Sequence, residues 1–191
     1  MKRIILLCIL FTALTTAIGC MLEARNTTAS AEPVCTPVVN EVSAKKTKIQ
    51  VAILLDTSGS MQGLIEQAKS RLWNIVNTLT TLKYNGEAPD IEIALYEYGS
   101  YKRYDGDYIR RITPLTADLD LISKELFALT TNGREEYCGT VIQRAVNELE
   151  WGNSKDDMKL IYIAGNEEFT QGNISYKTAI ANALKKDIFV N

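Results

Sequence analysis

VAILLDTSGSM, Val51 to Met61, decides how the rest of the chain is read. The run Ile49 to Leu55 is apolar and rich in β-branched residues, which predicts a strand buried on both faces. It ends on Asp56, and hydroxyls follow at alternate positions, Ser58 and Ser60, with Gly59 between them to permit a tight turn. Leu64, Ile65, Ala68, Leu72, Ile75, Val76 and Leu79 then recur at helical spacing. In open α/β sheets, ligands bind beyond the carboxyl ends of the strands. A carboxylate and hydroxyl oxygens around one point suit a small hard cation. Magnesium takes about six oxygens at ~2.1 Å and keeps several waters among them. The competing reading is a helix cap, since Asp and Ser are the commonest residues there.

Downstream, apolar patterns of the two periods alternate. Ile91 to Tyr98 and the short, charged Tyr108 to Thr113 predict strands, the second at a sheet edge. Asp118 opens a helix through Leu129, with acidic residues in its first turn. A helix is predicted over Thr140 to Glu150, a strand over Leu160 to Ala164, a helix over Ser175 to Lys186, and a strand from Asp187 to Asn191. Such alternation predicts an α/β fold: a doubly wound, mostly parallel sheet with helices on both faces. The chain stops inside an apparent strand, so a C-terminally truncated or fragmentary domain is expected, the alternative being a sheet that finishes with a short strand at its edge.

The chain has 191 residues, 46% of them hydrophobic, which suits one domain plus an extra segment. Net charge is −2 and no basic stretch tracks phosphates, so nucleic acid is not expected as a partner. There is no histidine, which excludes an imidazole base, a Ser-His-Asp triad and a His-ligated zinc. Lys2 and Arg3 precede an apolar run from Ile4 to Ile18, with Gly19-Cys20 after it. That is the layout of a secretory signal over residues 1–20; the alternatives are an uncleaved anchor or a later cut after Ala29-Ser30-Ala31. Residues 21–47, with Pro33 and Pro37 and no sustained period, read as a flexible tether to a domain over 48–191. Cys35 and Cys138 remain after the leader. They either pair or are unrelated thiols.

DTSGSM after VAILL resembles the von Willebrand factor A domain and its metal-ion-dependent adhesion site, and the resemblance covers about Lys48 to Asn191. The family's second element, a threonine before a helix, is matched by Thr140 in YCGTVIQRAVNELEW. Its third element is an aspartate after the fourth strand. In LIYIAGNEEF the matching position holds Gly165, followed by Asn166 and Glu167. This departure lowers the charge of the site and should weaken the ion; Asn166 and Glu167 are the nearby oxygen donors. AGNEEFTQG, with EIALYEYG and ELFALTTNG, resembles a bacterial subgroup of secreted A-domain proteins with an AGNEPFTQG-like motif. Ala17-Ile18-Gly19-Cys20 likewise resembles a bacterial lipobox, which implies acylation of Cys20 and a secreted or periplasmic, membrane-tethered protein.

The resemblance implies a metal site of Asp56, Ser58, Ser60, Thr140, Asn166 and Glu167, holding Mg2+, or Mn2+ or Ca2+. It implies protein binding, with an acidic residue of the partner completing the ion's shell. The tyrosine-rich YEYGSYKRYDGDY from Tyr96 to Tyr108 reads first as a strand end and edge hairpin, with a contact surface near the metal face as the alternative; Arg134, in the loop before Thr140, is a candidate to assist a ligand carboxylate docked on the ion. No nucleophile–base pair is visible, so no enzyme is expected. Two alternatives stay open: a metal-independent interaction scaffold with a degenerate site, and a hydrolase using the ion to activate water.

Overall fold

A computed structural model describes residues 46–83, 86–100, 108–133 and 135–191. The leader, Cys20, Cys35, most of the tether, Arg134 and residues 101–107 of the tyrosine-rich stretch lie outside the described residues.

The opening stretch forms β1, Lys48–Asp56, buried at every residue after the first. β2 (Asp90–Tyr98), β3 (Ile109–Thr116), β4 (Met158–Ala164) and β5 (Ile188–Val190) complete one sheet in the order β3-β2-β1-β4-β5. β1 pairs in parallel with β2 and β4, and β4 with β5, while β3 runs antiparallel to β2 at the edge. β3 reaches three residues past its expected end, through Pro114. An edge strand tolerates a proline because its missing amide has no ladder partner to satisfy. The register slips beside Leu95, whose amide donates to Thr113 Oγ1 at 3.0 Å instead of to the backbone.

Alternate residues of β1 feed two cores. Val51, Ile53 and Leu55 face α1 (Ile65–Thr80) and α2 (Leu119–Ala128), packing with Leu72, Val76, Ile122 and Leu126. Ala52 and Leu54 face α3 (Cys138–Glu148) and α4 (Tyr176–Leu184), packing with Val141, Ile142, Ala145 and Ala183. The doubly wound, mostly parallel sheet expected from the sequence is therefore the fold observed. The chain leaves β1 toward one face and β4, its neighbour, toward the other. The strand order reverses there, and a crevice opens beyond the carboxyl ends of the two strands.

Two boundaries correct the expectation. α1 begins at Ile65, after a 3₁₀ turn at Gly59–Met61 and the left-handed Gly63, so the Asp56–Ser60 segment is a loop rather than a helix start. α3 begins at Cys138, not Thr140, and its cap residue Tyr137 makes no side-chain cap bond. Ser58 stands at the N-cap position of the 3₁₀ turn but makes no side-chain cap bond, and Thr140 lies inside α3, so neither hydroxyl is engaged in capping.

Candidate metal centre at the strand crevice

Asp56 ends β1 opposite Tyr98 of β2, and its carboxylate is 1% exposed. The next residues cannot continue the strand because they are held sideways. The Thr57 amide and hydroxyl both donate to Tyr98 O (2.9 and 3.2 Å), and Thr57 O accepts from the Asn132 amide at 2.8 Å. The Gly59 amide donates to Gly133 O at 3.2 Å. The loop after β1 is thus fixed to the end of β2 and to the loop before α3. Within it, the Ser58 amide donates to Asp56 Oδ1 at 2.7 Å, and the Ser58 and Ser60 hydroxyls lie 2.9 Å apart.

Two further segments meet this loop. Ser60 Oγ donates to Asn166 Oδ1 at 3.1 Å, bringing in the segment after β4. Ser60 Oγ also lies 3.4 Å from Glu136 Oε1, just before α3. Glu136 is 3% exposed. Asp56, Ser58 and Glu136 form the floor of a notch, and Ser60, Asn166 and Glu167 stand at its open rim. Asp56 Oδ2 and Glu136 Oε2 are buried without a hydrogen-bond partner among the described residues. The hydroxyls of Ser58 in the floor and Ser60 at the rim supply the side-chain protons of this notch, fewer than its oxygens can accept. A buried carboxylate oxygen with nothing to bind is costly, and a cation would relieve that cost.

The electrostatics agree. Burial pushes the Asp56 carboxyl above the usual range, against the amide and hydroxyl of Ser58 and the amide of Asn166, which favour the charged form; the charge of Glu167 adds to the rise. Burial likewise raises Glu136, opposed by Ser58 and Ser60 and reinforced by the charges of Asp56 and Glu167. Negative charge is crowded here, as at a site built for a dication.

Of the expected ligands, Asp56, Ser58, Ser60 and Asn166 converge directly. Glu167 sits at the rim, within electrostatic reach of Asp56. Thr140 stands in the first turn of α3, half-buried, and among the described residues no hydrogen bond joins it to the other expected ligands. Among the described residues no three Asp, Glu, His or Cys side chains cluster as a metal site. The notch therefore depends on hydroxyl and amide oxygens as much as on carboxylates. All these donors are oxygens, which suits Mg2+, Mn2+ or Ca2+ better than a soft metal.

Glu136 is the residue that sequence reading missed, and Tyr98, read only as part of the tyrosine-rich stretch, is buried against the site rather than exposed at its rim. Tyr98 is fully buried; its Oη donates to Ala164 O at 3.2 Å and accepts from Cys138 Sγ at 3.7 Å. A Cβ on Gly165 would collide with that Oη and sit 3.2 Å from Asp56 Oδ2. Space thus favours glycine at 165, since any larger residue must push Tyr98 aside. Cys138 is a free, buried thiol pushed up to about 11, chiefly by burial.

No family model and no curated protein matches the chain by sequence. Solved structures do match by fold. Proximal thread matrix protein 1 from the mussel byssus, with a zinc-occupied MIDAS motif, superimposes with a TM-score of 0.57 at 14% identity, over 76% of this chain and 37% of that one. A second crystal form of the same protein gives 0.54 at 12% identity, over 76% and 35%. The vWF domain of the type V pili tip protein Mfa5 from Porphyromonas gingivalis also matches, with a TM-score of 0.46 at 18% identity, over 62% and 38%. The matches cover little more than a third of these longer chains. The sheet order, the two helical layers and the likeness to the byssus protein agree: the described part of this chain has a von Willebrand factor A-like fold.

Proposed function

We propose that the chain is an extracytoplasmic, adhesion-type protein-binding domain that holds a divalent cation in the notch. One observation carries this reading: the buried Asp56 carboxylate, with Oδ2 unpartnered among the described residues, lies beneath the oxygens of Ser58, Ser60 and Asn166. The zinc-occupied MIDAS motif of the byssus protein supports it as a precedent on the same fold. In this reading Asp56 is the strongest ligand, and Ser58, Ser60, Thr140, Asn166 and Glu167 complete the set. Mg2+ is the expected ion, with Mn2+ or Ca2+ as substitutes. When bound, the ion offers an open position to a carboxylate oxygen of a partner protein. Catalysis is no part of the proposal, and neither is nucleic acid.

Calorimetric titration with Mg2+ and with Mn2+, on the wild type and on Asp56→Ala, tests the site. Capture of partner proteins with and without chelator tests its use. Saturable binding lost in the variant supports the proposal; identical behaviour of the two proteins refutes it. That second result would favour a metal-independent scaffold, the reading that the missing carboxylate at Gly165 supports.

The N-terminal organisation belongs to the same proposal. Residues 1–20 are a leader, Cys20 is the lipidated residue, 21–47 a tether and 48–191 the binding domain. The only membrane contact is then the lipid. Among the described residues no helix is long and apolar enough to cross a membrane. Labelled palmitate incorporated by the wild type and not by Cys20→Ala checks the anchor.

A further inference from the structure

We propose that Glu136 supplies the second carboxylate of the cation site, and that the loop after β4 contributes by positioning Glu136 rather than by a carboxylate of its own at 165. This inference rests on the notch being a cation site.

Three observations lead to it. First, a side chain at position 165 would displace Tyr98. Tyr98 Oη occupies the space where a Cβ would stand, and it is fixed there by its bond to Ala164 O. A carboxylate from 165 is excluded as long as Tyr98 keeps this place. Second, Glu136 approaches the same serine pair from the opposite loop. Its Oε1 is 3.4 Å from Ser60 Oγ, and its Oε2 is buried and unpartnered among the described residues. Glu135, one residue earlier, is exposed, so the chain turns the second glutamate of the pair inward. Burying it without a counter-charge opposes folding unless something in the notch neutralises it.

Third, Glu136 is held at both of its peptide groups. Its amide donates to Gln171 Oε1 at 3.1 Å, and its carbonyl accepts from the Cys138 amide at 2.9 Å. Gln171 belongs to the AGNEEFTQG segment, the stretch whose first glycine replaced the expected aspartate. One segment therefore gives up a carboxylate and pins its substitute. The resulting donors, Asp56, Glu136, Ser58, Ser60 and Asn166, are oxygens with two negative charges, suited to a hard divalent cation.

The test is Mn2+ titration of the full chain, followed by calorimetry and by the Mn2+-induced rise in melting temperature. The proteins compared are wild type, Asp56→Ala, Glu136→Gln, Glu135→Gln and Gln171→Ala. Glu136→Gln keeps shape and removes charge. It should weaken Mn2+ binding on the order of 10- to 100-fold, the range seen when the groups supporting a metal are altered, and lose most of the thermal gain. Glu135→Gln, at the exposed neighbour of Glu136, should change affinity by less than about threefold, as a surface charge screened by solvent does. Gln171→Ala, which leaves every proposed ligand in place, should weaken binding by an intermediate factor while its metal-free melting stays cooperative. If the wild type and Glu136→Gln bind Mn2+ equally while Asp56→Ala does not, the role of Glu136 is overturned and the cation site stands. If the wild type binds no Mn2+, both readings fall.

Discussion

The packing of Tyr98 against Gly165 can be tested by adding one methyl group. In Gly165→Ala the new Cβ meets Tyr98 Oη, the end of a stiff, fully buried ring. Gly165 is not among the glycines with positive φ, so the backbone itself accepts alanine. Overpacking of this kind costs about 1–3 kcal/mol. If the ring shifts, its bond to Ala164 O is lost, at about 1 kcal/mol. The stiffer unfolded chain offsets about 0.4–1 kcal/mol. The net loss is about 1–3 kcal/mol, or roughly 2–12 °C of melting temperature for a domain of this size. Gly165→Asp, which restores the family's aspartate, should be worse without metal. Like charges about 4 Å apart near a protein surface repel by up to about 4 kcal/mol, and Asp56 Oδ2 is beside the new Cβ. The decisive assay is a double-mutant cycle by urea unfolding. Tyr98→Phe removes the oxygen in the way, so Gly165→Ala should cost at least about 1 kcal/mol less in that background. An alanine variant as stable as the wild type, or a cycle with no coupling, refutes the argument that space favours glycine here.

Other expectations follow from the same geometry. In chelator, Asp56→Asn should melt no lower than the wild type, because it removes a buried charge lacking a counter-ion; in Mn2+ the order should reverse, as paired melting curves would show. Cys138 keeps its proton to a higher pH folded than unfolded. Its stabilising contribution is therefore full below about 9 and lost as pH rises toward about 11. Urea midpoints at pH 8 and 10.5 should fall less steeply in Cys138→Ala than in the wild type. Leu54→Ala, at a fully buried position of β1, should cost about 2–5 kcal/mol by denaturant unfolding, and a loss under 1 kcal/mol would contradict the packing described.

The fold was legible because β1 is buried on both faces and its apolar run has no competing period. The helices were legible for the same reason, as each carries one apolar stripe at fixed spacing. Boundaries were less so. α3 starts two residues before the expected Thr140 because Gly139 lets its first turn pack against the Ile174 carbonyl, a contact that no local pattern announces. The site divides in the same way. Asp56, Ser58 and Ser60 announce themselves as one short motif on one loop. Glu136 does not: it is one of two adjacent glutamates before a helix, and only the loop's path buries it and exposes Glu135. The gap at Gly165 was visible as a departure, but its cause, the hydroxyl of Tyr98, comes from a strand far away in sequence.

The three loops around the crevice are sewn to one another: Thr57 to Tyr98 and Asn132, Gly59 to Gly133, Ser60 to Asn166, Glu136 to Gln171. A rim stitched in this way is preorganised. Immobilising a rotamer-rich side chain at an interface costs about 0.5–1.5 kcal/mol, and here much of that ordering falls on folding rather than on docking. A ligand meeting this surface would find its shape already set, so selectivity would come from fit and charge, and a cut in any one stitch would be felt as a slower grip and a faster release.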